Sequence, residues 1–590
     1  MHELDIGSTP PASTPPAPGP PVRFGPASRW AALAAVAAGV VYAGALQCGF
    51  VVDDVPQIVE NDWVTSFRHL PEVFGAGVWD FEGRTSSYYR PLMYVWYMAI
   101  HVLAGKAPWA FHLGNVLLHV AATALVTLVA ARLLEDGAPR PRILPAPLAA
   151  GLLFALHPIH TEPVTWIAGA CDVGFALFAA AAVWLWITAR DGAWGRVAGA
   201  AACVLAAALF KEPGVTIVLV LAAYDLLVRR EPIAPRRRAL RYAALAAALV
   251  VYLALRLHAL GSLAPTAGAN PMDAGAWAGS VVVLASRYLG SLLLPVRLSF
   301  WHVFVPPPSL LARDVLLAAA ILAVAVVAAW AAARASRPAA FALALLAIPL
   351  LPALHLGVLN QGIENAFAER YLYLPSFGFV VLAALAYRAI AARGARAERA
   401  ALSAVLAVAA LYAAGTALRV PTWRDHLTLW SDAVAKAPES ATARMNYGFA
   451  LLAAGRAAEG SQALRSAASQ QPDLVNRELA KAAAYMARGL TRKAIFAFHA
   501  ALAMIPDLPE AHFGLGVAYD ALGWTDAAMK EYETTIALAP GNADAFNNLG
   551  ILEAQRGDMD RALARFETAV RLRPDDASFR ANLDKARRSR

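Results

Sequence analysis

The sequence predicts an all-α protein in two parts: a polytopic membrane domain of about eleven helical spans, then a water-soluble helical repeat. Three observations predict this. Of 590 residues, 59% are apolar and 16% charged, whereas a soluble domain is about 45–50% apolar and about 25% charged. The charges are also unevenly shared, with 30 Lys+Arg and 22 Asp+Glu in residues 1–420 against 21 and 20 in the much shorter 421–590. Finally, prolines and glycines recur at a fixed interval in that second part, which is the mark of a repeated structural unit.

Residues 1–29, with STPPASTPPAPGPP at their centre, hold few large apolar side chains and cannot pack a core. They read as a disordered cytoplasmic tail. Trp30 to Cys48 is the first apolar run; it is long enough to cross a bilayer and reads as an anchor rather than a cleaved signal. Further spans are expected at 111–131, 147–160, 172–189, 197–210, 214–228, 242–257, 314–333, 339–356, 373–391 and 400–418. The membrane domain therefore covers 30–419. Two more apolar segments, 91–104 and 277–295, are read as interfacial helices by the positive-inside rule. Counting them as spans would strand the basic groups at 132–142 and 334–337 outside. Without them, nineteen arginines from Arg23 to Arg399, among them Arg229, Arg230, Arg236, Arg237, Arg238 and Arg241, share the cytoplasmic side. The expected location is then a multi-pass inner membrane protein with its repeats on the periplasmic side.

In the tail, Pro438, Pro472, Pro506, Pro540 and Pro574 are 34 residues apart, as are Gly455, Gly489, Gly523 and Gly557. This is the period of the tetratricopeptide repeat. Small residues recur where paired helices approach: Gly448, Ala482, Gly516 and Gly550, then Gly460, Ala494, Ala528 and Ala562. Four repeats fit between 439 and 574, within a repeat domain over 420–590. Such α-solenoids present a groove suited to a peptide or protein partner.

The net charge of +9 does not indicate nucleic-acid binding. Of it, +8 lies in the apolar part, where basic residues set membrane orientation, and no concentrated basic face stands in the soluble tail. Cys48, Cys171 and Cys203 are too few and too scattered for a disulfide framework or a metal site.

The candidate chemistry lies at the outer ends of the spans. FVVDD places Asp53 and Asp54 just after the first span; an acidic pair there can hold a base near a hydroxyl or bind a cation. YYRPL sets Arg90 between aromatics and a proline, where its guanidinium can meet a phosphate or anchor in the interface. HLGNVLLH puts His112, Asn115 and His119 near one helical face. HPIHTEPVTWIAGACD contributes His157, His160, Glu162 and Asp172, and titratable groups at membrane depth tend to mark functional cavities. KEPG adds Lys211 and Glu212, and AERYLYLPS adds Glu369 and Arg370. In the expected topology these clusters share one face, which argues for a single polar cavity.

Taken together and in this order, FVVDD, YYRPL, HLGNVLLH, HPIHTEPVTWI, KEPGVT with YDLL, and AERYLYLPS, followed by the repeats, resemble the transmembrane and tetratricopeptide-repeat O-mannosyltransferases. These belong to the membrane-embedded C-type glycosyltransferase superfamily. The resemblance covers about 30–574, and the Arg/Ala-heavy composition is that of a bacterial relative. It implies the C-type glycosyltransferase fold and transfer of a sugar, typically mannose, from a polyprenyl-phosphate carrier to Ser or Thr hydroxyls outside the cytoplasm. It also implies a catalytic role for Asp53 and Asp54, with Arg90, His157, His160, Lys211 and Arg370 as phosphate or sugar contacts. Glu162, Asp172, Glu212 and Glu369 complete the expected substrate-binding set.

The expected donor is a lipid-linked sugar, the expected partner an acceptor protein held by the repeats, and neither nucleic acid nor a metal cofactor is expected. The competing reading is a non-enzymatic scaffold whose repeats assemble an envelope or secretion complex. Such a scaffold has no use for titratable groups converging on one face.

Overall fold

The structure is a computed structural model that describes residues 25–83, 86–134, 141–263, 273–354 and 366–589. Residues 1–24, most of the expected tail including Arg23, and Arg140 lie outside the described residues. Among the described residues the chain is helical, with no strand. In a bilayer core no water pairs with backbone N–H and C=O groups, so a helix, which satisfies them internally, is the form an apolar chain takes. Proline sits in the first turn of the helices Pro26–Val41, Pro91–Ala104, Pro108–Leu133, Ala146–Leu156, Pro235–Leu260 and Pro375–Ala391. Its missing N–H costs nothing there and its fixed φ starts the helix.

Eight helices among the described residues are long and apolar enough to cross a membrane, so this is a multi-pass membrane protein. Ala274–Leu293, from the segment read as interfacial, is one of the eight, while 91–104 forms the shorter Pro91–Ala104. The expected spans at 147–160, 197–210 and 373–391 form the shorter helices Ala146–Leu156, Trp194–Phe210 and Pro375–Ala391. The expected span 214–228 is a 3₁₀ turn, Glu212–Thr216, leading into Ile217–Leu227. Prolines explain the first two of these shorter helices: Pro158 follows Leu156 by two positions and Pro213 follows Phe210 by three, and neither can continue the ladder.

Burial separates the helices. Ala170–Thr188 is buried along most of its length and packs against Pro108–Leu133 and Trp194–Phe210. Arg313–Ala335 is nearly bare, with Leu316, Leu317, Ile321 and Val324 exposed. A helix that is apolar all round and uncovered by protein is covered by lipid.

The last membrane helix, Ala395–Arg419, passes through a short turn into His426–Lys436. A capping box starts the latter: the Thr428 N–H donates to Asp425 at 2.8 Å, and the Asp425 N–H donates to Thr428 at 3.2 Å. Four antiparallel helix pairs follow, from Ala441–Ala453 to Met559–Leu572, and Ala577–Arg588 closes the array with Phe579 and Leu583 buried. The turn glycines Gly455, Gly489, Gly523 and Gly557 have φ of +77°, +71°, +72° and +88°, the left-handed conformation that ends a helix without a Cβ penalty.

The repeats also bind back to the membrane part. Lys493 pairs with Glu60 at 2.9 Å and Glu82 at 3.0 Å, and the Trp301 indole N–H donates to the Ser440 hydroxyl at 3.0 Å.

A Cβ at Gly516 would stand 2.6 Å from the ring of the fully buried Tyr532. Gly516→Val is therefore expected to cost about 1–3 kcal/mol through overpacking. Limited proteolysis of the full chain should then cut between 509 and 540 faster than in the wild type; an unchanged cutting rate would contradict the packing.

Candidate active site

The acidic pair sits on a strained turn. Val52 has φ +50°, a region that β-branched residues rarely enter, and such strain persists only where the surroundings impose it. Here the start of the repeat domain does so. The Val52 N–H donates to His426 Nε2 at 3.0 Å, and the Gly49 N–H donates to the Arg424 carbonyl at 2.9 Å. For Nε2 to accept, His426 must be neutral, and burial lowers its pKa in that direction.

The two acids differ in surroundings. Asp54 is fully buried; one oxygen accepts from the Val51 N–H at 3.0 Å and the other from the Ala168 N–H at 2.8 Å. Burial pushes its carboxyl well above the usual range, and the charge of Asp53 adds to the shift. Asp53 is half-buried and lines a polar cavity of about 330 Å³.

Three cations share that cavity with Asp53, each held by a carboxylate from a distant part of the chain. Arg90 lies against Glu212, with nitrogen–oxygen distances of 3.0–3.2 Å. Lys211 pairs with Asp172. Arg370 donates from its guanidinium to Glu162 at 2.6 Å and from its backbone N–H to the same carboxylate at 3.0 Å. Buried charges need such partners, because desolvating an unpaired ion costs several kcal/mol. A guanidinium offers five N–H donors, so a carboxylate on one edge leaves donors for an incoming anion. Aromatic faces complete the seat: Arg90 lies over Tyr88 at 4.5 Å, Lys211 over Tyr371 at 4.9 Å, and Arg370 near both Tyr371 and Trp166.

A second, mostly apolar cavity of about 270 Å³ shares Tyr88, Arg90, Asp172, Lys211, Arg370 and Tyr371 with the first. It continues among Phe175, Val215, Leu253 and Pro349. The two chambers meet at the cations, so the shape suits a molecule with an apolar tail, an anionic waist and a polar head.

Of the residues expected from the sequence, Asp53, Arg90, Asp172, Lys211 and Arg370 line the polar chamber, while Glu162 and Glu212 hold two of its cations. The others lie elsewhere. The Glu369 carboxylate accepts from the Ser299 N–H, lies 3.1 Å from His302 and pairs with Arg419. His157 spans the Leu292 carbonyl and the Ile159 N–H at 3.2 Å each, and His160 bonds the Ser376 hydroxyl at 2.8 Å. His157, His160 and Glu162 thus face three different partners, and among the described residues no group of three or more His, Cys, Asp or Glu forms a metal site. Sequence reasoning missed Tyr88, Trp166 and Tyr371 as parts of the seat; the signal was their position within or beside the motifs carrying Arg90 and Arg370. It also missed His426, which sits 372 positions after Asp54 and carries no motif.

Comparison with known proteins agrees with this architecture. The tetratricopeptide repeat family model matches residues 479–543 and 521–577. Over 200 residues the chain is 36% identical to the protein O-mannosyl-transferase TMTC2 of Mus musculus, covering 32% of this chain and 23% of that protein. It is 26% identical over 392 residues to the Mus musculus protein O-mannosyl-transferase TMTC3, covering 59% of this chain and 41% of that one. Over these stretches the chain is similar to the TMTC proteins. Another relative, the Drosophila melanogaster protein O-mannosyl-transferase Tmtc1, is 34% identical over 194 residues, covering 32% of this chain and 22% of that protein. The chain matches less than half the length of each of these curated relatives. Among solved structures, the Sgt2 TPR domain from Aspergillus fumigatus is 22% identical, with a TM-score of 0.19, covering 20% of this chain and 78% of that one.

Replacing His426 by Ala removes the acceptor of the Val52 N–H and is expected to cost about 1–3 kcal/mol, read as a lower melting temperature. His426→Gln, which presents an acceptor oxygen, should recover most of that loss. Equal losses in the two variants would show that the hydrogen bond does not hold the turn.

Proposed function

We propose that the chain is an inverting glycosyltransferase that moves a sugar, mannose by analogy with the names of its relatives, from a polyprenyl-phosphate carrier to Ser or Thr hydroxyls of acceptor proteins. The observation that carries this reading is the junction of an apolar slot with a polar chamber at Arg90, Lys211 and Arg370, with Asp53 in the same chamber. The isoprenoid would occupy the slot, its phosphate the cationic junction, and the sugar the polar chamber.

In the proposed reaction Asp53 accepts the proton of the acceptor hydroxyl as that oxygen attacks the anomeric carbon. The bond from the anomeric carbon to the phosphate oxygen breaks and its electron pair leaves on the phosphate. The three cations stabilise that departing charge, which is largest when the bond is nearly broken, so their effect falls on the transition state. A single displacement inverts the anomeric configuration. Asp54, buried and bonded to two backbone N–H groups, holds the turn that presents Asp53. The lipid-linked sugar is the only co-substrate the scheme needs, and the repeats recruit the acceptor.

Reconstitution with polyprenyl-phosphate mannose and an acceptor peptide tests the assignment. Asp53→Asn is expected to lower transfer by about 10²–10⁴-fold while insertion and abundance stay at wild-type levels; undiminished transfer would reject Asp53 as the base.

The proposal also places the repeats on the periplasmic side of the inner membrane. A cysteine introduced at the exposed Ser469 should react with an impermeant maleimide on intact spheroplasts, and protection until lysis would reverse the orientation.

A further inference from the structure

A further cavity lies away from the chamber that Asp53 lines. It measures about 1210 Å³ and lies at the opposite ends of the same helices. Pro108–Leu133 brings His112 toward the acidic turn from its first turns and Arg132 to this cavity from its last. Ala170–Thr188 likewise carries Asp172 at one end and leads to Arg190 at the other. Among the described residues, the ends of six separate segments converge here, and eight arginines line the space against one lining carboxylate, Glu231.

Some of these arginines serve the fold. Arg229 bonds Asp225 at 2.6 Å and the Trp186 carbonyl at 3.1 Å; Arg196 and Arg388 donate to the carbonyls of Thr188 and Leu134 at helix ends. Helix C-termini carry unsatisfied carbonyls and partial negative charge, so arginines belong there. Arg190, Arg230, Arg334 and Arg337 are exposed and line the same concavity; of these only Arg334 lies in a helix's last turn, where it stands 4.4 Å over the Trp330 ring, so the helix-end requirement does not account for Arg190, Arg230 and Arg337. Arginines that only anchor helices in the headgroup layer extend outward to water and separate; these share one space, where mutual repulsion favours a bound counter-anion. Arginine forks match phosphate oxygens in pairs. Arg334 also ends the lipid-facing helix Arg313–Ala335, whose Val326, Val327 and Trp330 are exposed, which sets the cavity at the boundary between lipid tails and headgroups.

We propose that this cavity is a binding site for a phosphate-bearing polyanion. A volume of this size admits a headgroup with two phosphates, and basic pockets between membrane helices suit such anionic lipids. The same chemistry could come from a soluble diphosphate. The site is independent of the transferase reading, because it lies at the other end of the bundle and is tested by binding alone.

The test uses the full-length protein in detergent and two probes, diphosphatidylglycerol against phosphatidylcholine in native mass spectrometry, and inorganic pyrophosphate in thermal unfolding. Two quadruple variants are compared with the wild type. One carries Arg190→Gln, Arg230→Gln, Arg334→Gln and Arg337→Gln; the other removes four basic charges outside the cavity lining through Arg236→Gln, Arg237→Gln, Arg238→Gln and Arg399→Gln. Selective retention of diphosphatidylglycerol, weakened about tenfold or more in the cavity variant and kept in the control, supports a lipid headgroup. Stabilisation by pyrophosphate with the same pattern and no lipid selectivity supports the site with a soluble ligand. Equal loss in both variants, or no binding of either probe to the wild type, overturns the proposal. Transfer activity enters none of these readouts, so failure here and failure of the transferase reading are distinguishable.

Discussion

The pairing of buried cations with carboxylates across helices is the constraint on which the rest of the structure depends. Arg90 with Glu212, Lys211 with Asp172 and Arg370 with Glu162 each join segments far apart in the chain. Removing one partner of the buried Lys211–Asp172 pair leaves an unpaired buried charge that costs about 3–5 kcal/mol, while Arg90, Glu212 and Arg370 are half-buried and lose less. The pairs therefore fix how the polar ends of the helices come together, and they set three positive groups around one space. The polar chamber and its junction with the apolar slot follow from that arrangement.

The acidic turn depends on a different element. Its two backbone ties run to Arg424 and His426, at the entry to the repeat domain, and Lys493 in the second repeat reaches Glu60 and Glu82 beside it. The strained φ of Val52 is thus held from outside the membrane part. The repeats and the acidic turn form one connected unit.

The two ends of the bundle divide the charged residues by kind. At the site end, acids and bases occur in nearly equal numbers and neutralise one another in pairs. At the other end arginine dominates, and carbonyls at helix C-termini take part of its hydrogen-bonding capacity. Composition alone does not distinguish these environments, because both appear in sequence as isolated charges flanking apolar runs.

Much of the architecture was legible in the sequence. Apolar run length identifies helices for a bilayer, because the backbone has no other way to satisfy its polar groups there. The 34-residue recurrence of proline and glycine identifies the repeats, because a left-handed turn and a small inter-helix contact admit few residue types. The residues around the site were also marked, since charge within an apolar context is costly and stands out. What the sequence did not determine is which charge meets which, that Asp54 turns inward while Asp53 faces the chamber, or that His157, His160 and Glu369 bond to other helices. These depend on side-chain direction across contacts separated by tens to hundreds of residues. The role of His426 is of the same kind: a neutral imidazole accepting one backbone N–H leaves no trace in local pattern, and only the packing of the repeat domain against the first outer loop brings the two together.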